Sequence, residues 1–254
     1  RRGMSMSPVR SWCQLLRLPN LLSVPGDPWA GLALASACAG TAPRFLDGVL
    51  VALVSLCLYA AGLVLNDLHD ENFDRAHRPE RPLPSGRISR TAAARACASL
   101  AGLAVLLALP LGRLPLQATL VLAVLVCSYN LLLKSRRLPA SVCMGLCRGC
   151  SLLVGAATVG IGAGVVLAAL AVTVYIAAVT WMAARENETQ RLDRAPLVPG
   201  CSFAVGGVLA AVLAIPCARP LPWLVGAALL AWAALAALRR GAGLRGRPVP
   251  PARM

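Results

Sequence analysis

Residues 46–74 read LDGVLVALVSLCLYAAGLVLNDLHDENFD, and the change of character within this stretch decides the fold. Residues 46–66 are apolar almost throughout, and they are long enough to cross a bilayer as an α-helix, which takes roughly 20 residues. Residues 66–74 then carry Asn66 and four acids. The stretch therefore predicts a membrane-spanning helix that ends in an acidic, polar segment.

The rest of the chain repeats this apolar character. Hydrophobic residues make up 58% of the 254 residues, the mean hydropathy is +0.70, and only 14% of residues are charged. That is too little polar sequence to cover the surface of a soluble domain, so we predict an all-α, polytopic bundle of about eight transmembrane helices. The apolar stretches fall at about 21–42, 46–66, 91–111, 114–133, 139–159, 162–182, 198–218 and 221–238. Pro25, Asp27 and Pro28 interrupt the first stretch and predict a kinked or broken helix there.

The basic residues indicate the orientation of the helices. If the N-terminus is inside, the inside segments hold 20 basic residues and the outside loops hold three. Because Lys and Arg accumulate on the cytoplasmic side, both ends are predicted to be cytoplasmic. The inside segments are 1–20, 67–90, 134–138, 183–197 and 239–254. Residues 1–20 then form a cytoplasmic N-terminal segment, 21–238 the transmembrane domain and 239–254 a basic tail.

The net charge of +15 has a simple origin in this topology. It is divided among short loops rather than gathered on one face, and this favours contact with anionic lipid. Binding of nucleic acid is a poor interpretation of a charge distributed in this way.

The acidic residues point to chemistry, because eight of the ten lie in two inside segments, at 67–80 and 186–193. On an α-helix, residues 66, 67, 70 and 74 point at about 0°, 100°, 40° and 80° and so share one sector. Crowded carboxylates repel one another unless a cation lies among them, and hard oxygen ligands suit Mg²⁺. Arginines that follow can take the outer oxygens of a metal-bridged diphosphate. They are Arg75, Arg78, Arg81 and Arg87.

Two motifs at this helix end carry a resemblance to a known family. The pattern N-D-x-x-D-x-x-x-D at residues 66–74 is followed by R-P-L-P-S-G-R-I-S at Arg81–Ser89, and together they resemble the UbiA superfamily of intramembrane prenyltransferases. Leu18-Pro19-Asn20 is similar to the opening of that family. Tyr129 and Lys134 are similar to its Y-x-x-x-x-K element, and the resemblance covers most of the chain.

The resemblance implies an all-helical bundle, commonly of nine transmembrane helices, around a central cavity, whereas the apolar stretches of this chain number eight. Two acidic regions, at the cytoplasmic ends of the second and sixth helices, are implied to hold Mg²⁺ and a prenyl diphosphate. The implied catalytic residues are Asp67, Asp70 and Asp74, and with Glu186 and Glu188 they are also the implied metal ligands. The implied substrate-binding residues are Asn66, Arg78, Arg81, Tyr129, Lys134, Arg148 and Arg185.

The function implied is an Mg²⁺-dependent transfer of a prenyl group from a prenyl diphosphate to a lipophilic acceptor, for which an aromatic ring is one candidate. The expected location is the bacterial inner (plasma) membrane, as a multi-pass protein in contact with lipid. A noncatalytic relative that binds isoprenoid lipid and a terpene cyclase on the same scaffold remain alternatives. A transporter is a third, although transporters tend to place charges near the bilayer midplane, whereas these acids cluster at one membrane face.

The chain departs from the family pattern in its second acidic region. The family has two aspartates four residues apart, but this region contains no such pair. Glu186, Gln190 and Asp193 share a helix face and could substitute for it. A different register puts Arg185 and Thr189 in the aspartate positions. Either register leaves less negative charge than the family pattern, so a second metal site is not assured by the sequence.

The topology is directly testable. We expect residues 67–90 and 183–197 to face the same, cytoplasmic side, because of the asymmetry in basic residues. Cysteines introduced at Ser85 and Thr189, in a background without the native cysteines, should react with a membrane-impermeant thiol reagent from that side only. Labelling of the two positions from opposite sides would contradict both the topology and a shared site.

Overall fold

The computed structural model describes residues 7–183 and Trp232, and the regular structure of those residues is helical throughout. A short 3₁₀ turn at Leu109–Leu111 follows the fifth helix, and a π-helical turn at Tyr129–Leu133 follows the sixth. The α-helices are α1 (Pro8–Leu15), α2 (Leu18–Leu21), α3 (Gly26–Ala39), α4 (Phe45–His77), α5 (Arg90–Ala108), α6 (Arg113–Ser128), α7 (Arg137–Ala156) and α8 (Ala163–Ala183). The spans predicted at 198–218 and 221–238 lie outside the described residues.

Five of the described helical segments are long and apolar enough to cross a membrane. They correspond to the spans predicted from 46–66 to 162–182, and they make the chain an integral membrane protein. The segments are Phe45–His77, Arg90–Leu111, Arg113–Leu133, Arg137–Ala156 and Ala163–Trp181.

The first predicted span, 21–42, is broken in the structure. α2 ends at Leu21, and α3 begins at Gly26 with Pro25 as its N-cap. α3 has 14 residues, or about 21 Å, which is shorter than a hydrocarbon core of roughly 30 Å. Gly40 ends it in the left-handed conformation, with φ +68°. The interruption coincides with Pro25, which lacks the backbone N–H that a helix continuous through this point would need.

α4 extends further than the sequence pattern indicates. Its 33 residues measure about 50 Å, so it exceeds the thickness of the hydrocarbon core. The sequence placed five acids in the loop after the second span, but four of them lie on α4 and only Glu80 lies beyond it. Ion pairs with four-residue spacing, Glu71 with Arg75 and Asp74 with Arg78, support these extra turns.

The described part of the chain divides into two compact units. Of the described residues, the first unit comprises 7–134 and 150–160, and the second comprises 135–149 and those from 161 onward. In the first unit, α4 packs mainly along α5 and also contacts α3 and α6. One buried cluster lies near the polar end of α4, with Trp12 and Leu16 packed against it. Its members are Leu15, Val64, Leu68, Leu83, Ile88 and Ala93. The N-terminal segment and the loop after α4 are thus both anchored at that end.

Glycine allows two helical segments of the first unit to touch backbone to backbone. A Cβ on Gly31 of α3 would lie 1.9 Å from the carbonyl oxygen of Leu152, and one on Gly155 would lie 1.8 Å from that of Pro28. Small residues at helix contacts permit this approach in membranes, where close packing supplies much of the association energy. A hydrogen bond between the hydroxyls of Ser55 and Ser151, 3.1 Å apart, adds a polar contact between α4 and α7.

In the second unit, glycines allow the same kind of close contact between α7 and α8. A Cβ on Gly145 would lie 2.2 Å from the carbonyl oxygen of Thr173, and one on Gly149 would lie 2.2 Å from the Thr173 hydroxyl. Thr173 donates that hydroxyl to the carbonyl of Ala169 at 2.8 Å. The polar side chain is thereby satisfied within its own helix.

The packing of α3 can be tested with alanine substitutions. Gly31→Ala and Gly155→Ala should each destabilise the protein by about 1–3 kcal/mol, since the new methyl group would overlap backbone atoms. Gly102→Ala is the matched control, because a Cβ there meets nothing within 4 Å, and it should be neutral or slightly stabilising. Thermal unfolding in detergent, followed by tryptophan fluorescence, measures the difference. Equal stability of all three variants would contradict the contact.

Candidate functional site

The polar end of α4 presents a buried row of acids. Asp67, Glu71 and Asp74 are spaced four and three residues apart, so they lie on one helix face, and they are only 6%, 8% and 2% exposed. Asp70 lies beside them and is half-buried. Buried carboxylates are costly unless they are paired and hydrogen-bonded, so the positions of their partners define this region.

Arg81 lies between two of these carboxylates. Its Nη1 is 2.6 Å from Oδ2 of Asp74 and 3.8 Å from Oδ1 of Asp67. Arg78, at the end of α4, is a more distant partner of Asp74, at 4.0 Å. One guanidinium thus serves two buried acids that are separated by about two turns of helix.

Arg17 is a second partner of Asp67, with its Nη2 at 3.0 Å from Oδ1. It directly follows Leu16, the C-cap of α1, and its backbone has φ +47°, the left-handed conformation. Among the described residues it is the only one other than glycine in that conformation. The conformation costs a non-glycine residue roughly 1–2 kcal/mol. The ion pair with Asp67 and the anchoring of Trp12 and Leu15 offset this cost.

Lys134 reaches the site from the end of the sixth helix. Its ammonium group contacts Asp70, and it donates to Oδ1 of Asn66 at 3.4 Å. The π-helical turn Tyr129–Leu133 directly precedes it, and the amide of Lys134 donates to the carbonyl of Tyr129 at 3.0 Å. Such π turns recur at functional sites because they shift the side chains that follow. The Tyr129–Lys134 element thus coincides with a π-helical turn, and the substrate-binding role of both residues stays a prediction.

Glu71 is held by two arginines. Arg75 Nη2 lies 2.7 Å from one carboxylate oxygen, and Arg90 Nη1 lies 2.6 Å from the other. Arg90 also donates to the carbonyl of Leu68 at 3.3 Å. Because Arg90 is the first residue of α5, these contacts tie the start of α5 to the polar end of α4.

The R-P-L-P-S-G-R-I-S motif folds as a compact turn between the two helices. Ser85 donates its hydroxyl to the carbonyl of Arg81 at 2.6 Å, and the amide of Ile88 donates to the carbonyl of Pro82 at 3.1 Å. Gly86 has φ +73°, which a residue with a side chain rarely adopts. Ser89 then caps α5 by accepting from the amide of Ala92 at 3.2 Å. The motif therefore fixes the backbone from which Arg81 extends.

The assembled group carries more positive than negative charge. Four carboxylates face six cationic side chains, so the formal balance of these residues is about +2, which favours a multiply charged anion. The carboxylates belong to Asp67, Asp70, Glu71 and Asp74, and the cations to Arg17, Arg75, Arg78, Arg81, Arg90 and Lys134.

The three aspartates have cationic partners in the structure, whereas the sequence indicates a metal ion among them. Within residues 7–183, no three His, Cys, Asp or Glu side chains form a group that could hold a metal ion. Asp70 contacts Lys134, whereas Asp67 and Asp74 flank Arg81. These two supply hard oxygen donors, of the kind that Mg²⁺ takes, on either side of one cationic atom. The shared metal role of all three aspartates stays a prediction.

The remaining expected site residues fall elsewhere. Arg148 lies on α7 in the second unit and is half-buried. Arg185, Glu186 and Glu188, the expected second acidic region, lie outside the described residues. Their substrate-binding and metal-binding roles remain predictions.

Three members of the charged group were overlooked at the level of sequence. The sequence could have identified Glu71, because its spacing from Asp67 and Asp74 puts it on their helix face. The sequence indicated Arg17 less clearly, through its position directly before the Leu18-Pro19-Asn20 motif. No sequence pattern indicated Arg90, because only the folded turn brings it back to Glu71 of α4.

Comparisons with known proteins agree with this fold and these motifs. The chain is 30% identical over 169 residues to digeranylgeranylglyceryl phosphate synthase of Sulfolobus acidocaldarius, a match that spans 66% of this chain and 58% of that protein. It is 29% identical over 239 residues to the protein of the same name from Methanosarcina mazei, which covers 85% of this chain and 80% of the relative. The match to the Sulfolobus protein thus spans less than two thirds of that relative's length.

Solved structures show the same fold. A UbiA homolog from Archaeoglobus fulgidus bound to DMAPP and Mg²⁺ superposes with a TM-score of 0.72 at 17% identity, over 95% of this chain and 91% of that one. A digeranylgeranylglyceryl phosphate synthase structure gives 0.63 at 18% identity, over 94% and 95%. A model of the UbiA prenyltransferase family matches residues 28–248, which is most of the sequence. The chain belongs to the UbiA prenyltransferase family.

Proposed function

We propose that this protein is an Mg²⁺-dependent intramembrane prenyltransferase, which moves a prenyl group from a prenyl diphosphate to a lipophilic acceptor. The observation that carries the proposal is the charged group at the polar end of α4, where buried aspartates and several cations lie together at the end of an apolar helix. A prenyl diphosphate has the same division, with a charged head and an apolar tail. Family membership supports the reaction class.

Each part of the substrate has a partner in this arrangement. Arg78, Arg81 and Lys134 bind oxygens of the diphosphate, as their position around the aspartates allows. Asp67 and Asp74, with Asp70 and Asn66 beside them, hold the metal. Bound Mg²⁺ neutralises charge that develops on the departing diphosphate.

In the transfer step, the bond between C1 of the prenyl group and the diphosphate oxygen breaks, and its electron pair leaves with the oxygen. The nucleophilic atom of the acceptor forms a new bond to C1 and loses a proton, so the products are the prenylated acceptor and diphosphate. The cations stabilise the leaving group through oriented hydrogen bonds. The apolar parts of the helices, beyond the charged group, keep water from the reacting carbon.

The roles of the remaining expected residues belong to the same proposal. Tyr129 and Arg148 contribute to substrate binding, and so does Arg185. Glu186 and Glu188 provide a second, weaker metal site, because their spacing departs from the pair of aspartates four residues apart. The orientation with these groups on the cytoplasmic side follows from the basic loops.

We further infer the class of acceptor from the relatives. Digeranylgeranylglyceryl phosphate synthase, by its name, makes a glyceryl phosphate that carries two geranylgeranyl groups. We therefore rank a prenylated glyceryl phosphate above an aromatic ring as the acceptor. Its hydroxyl oxygen is the nucleophile in the step above.

The reaction can be assayed with purified protein in detergent. We expect Mg²⁺-dependent release of diphosphate from prenyl diphosphates of several chain lengths, with a prenylated product when a glyceryl phosphate acceptor is present. Asp74→Asn should reduce turnover by roughly a hundredfold or more, because it removes a charge that holds the metal. Glu80→Gln, an exposed acid of the same segment, is the control and should be near wild type. Turnover that survives changes at Asp67, Asp70 and Asp74 would favour an isoprenoid-binding protein without this chemistry.

The cations that hold the diphosphate should affect binding more than folding. Arg78→Ala, Arg81→Ala and Lys134→Ala should each weaken prenyl diphosphate binding about tenfold, since a hydrogen bond to a charged group contributes roughly 1.5–3 kcal/mol. Arg95→Ala is the matched control, because this arginine of α5 is exposed and lies outside the charged group. Calorimetry with an unreactive prenyl diphosphate analogue measures the affinities. Undiminished binding in all three variants would remove these residues from the site.

A further inference from the structure

We propose that Arg81 occupies the position of the metal between Asp67 and Asp74, so that a divalent cation binds tightly only when a diphosphate draws Arg81 away. The inference deepens the proposed function and rests on it. It makes Arg81 more than one of several phosphate ligands, because it makes tight binding of the metal depend on binding of the diphosphate.

The geometry around Arg81 Nη1 is the first observation. This single cationic atom lies 2.6 Å from Asp74 and 3.8 Å from Asp67. Both carboxylates are buried, and the Arg81 side chain itself is only 25% exposed. Attraction between buried charges is screened far less than at the surface, so this contact is a substantial competitor for any incoming cation.

The neighbouring contacts strengthen the competition. Asp67 also has Arg17, at 3.0 Å, and Asp70 has Lys134. Each aspartate expected to bind metal therefore already has a basic partner. A metal ion arriving alone would have to displace these partners, and it would then face cations left without carboxylates. Breaking a buried pair in this way is strongly unfavourable.

A diphosphate removes that obstacle because it offers the displaced cations new partners. A guanidinium binds phosphate oxygens in a bidentate manner as well as it binds carboxylate. When Arg81 turns to a phosphate oxygen, Asp67 and Asp74 become available to the metal. Every buried charge keeps a partner throughout this exchange, which neither ligand alone achieves.

The backbone at Arg81 permits this exchange without refolding. Its amide donates to the carbonyl of Arg78 at 3.1 Å, and its carbonyl accepts from the Ser85 hydroxyl at 2.6 Å. The main chain is thus fixed by the turn, while the guanidinium stands at the end of a long side chain with several rotatable bonds. Rotation of that side chain is enough to transfer it from carboxylate to phosphate.

The consequence for the reaction is an ordered cycle. Metal and prenyl diphosphate bind together, and after transfer the return of Arg81 to Asp67 and Asp74 favours release of the metal with the diphosphate. Arg81 thereby acts as a positioning residue for the metal and as a ligand of the substrate.

Mn²⁺ binding, measured by electron paramagnetic resonance in detergent, tests this without any turnover. Without a diphosphate, Arg81→Gln should bind Mn²⁺ at least tenfold more tightly than the wild type, because the competing charge is gone. Arg81→Lys keeps that charge and should bind as weakly as the wild type. Arg95→Gln removes an exposed arginine of α5 that lies outside the charged group, and it should also match the wild type.

A second measurement, on the wild-type protein, does not depend on whether the variants fold. Adding an unreactive prenyl diphosphate analogue should tighten Mn²⁺ binding at least tenfold. Equally tight Mn²⁺ binding with and without the analogue, or no gain in Arg81→Gln, or an equal gain in Arg81→Lys, would overturn the role of Arg81 and leave the proposed function standing. Failure of the analogue to bind at all would instead contradict the proposed function.

Discussion

The burial of three carboxylates at the polar end of α4 is the constraint on which the surrounding structure depends. Asp67, Glu71 and Asp74 lie on a helix face that is almost closed to solvent, and carboxylates so placed must have cationic partners. Those partners come from three separate parts of the chain. They are the segment after α1, the last turn of α4, and the turn and helix start that follow α4, while Lys134 at the end of the sixth helix pairs with the half-buried Asp70. The elements around α4 are consequently held by charge as well as by packing.

The same constraint explains where the backbone is irregular. Arg17 takes a left-handed conformation, Gly86 does so within the turn after α4, and a π-helical turn precedes Lys134. Each irregularity lies next to a residue that contacts the buried acids or on the turn that positions Arg81. Strained or uncommon backbone is maintained where surrounding contacts over-determine it, and it is frequent at functional sites. Here the ion pairs and the buried cluster around Leu68 supply those contacts.

The charged group is also suited to a substrate of mixed character. The described helices present long apolar surfaces, and the charges gather at the polar end of one of them. A transporter would more often place charges near the middle of the bilayer, within broken helices. In this family a charged end followed by apolar helices matches a reactant with an anionic head and a hydrocarbon tail. The excess of cations over carboxylates favours an anionic ligand at this end of the helix.

The sequence by itself determined the membrane class, five of the spans, the acidic sector of α4 and the two motifs that indicate the family. These features depend on the length of apolar segments, on helical periodicity and on residues near one another in the chain. All three can be read directly from the sequence. Tertiary structure alone decided which cation meets which acid. Arg17 and Asp67 are 50 residues apart, and Lys134 and Asp70 are 64 apart. Repulsion among the three aspartates was expected from the sequence to require a metal, but the fold brings arginine and lysine to them instead. A local pattern cannot encode such partners, because they meet only when distant helix ends are packed together.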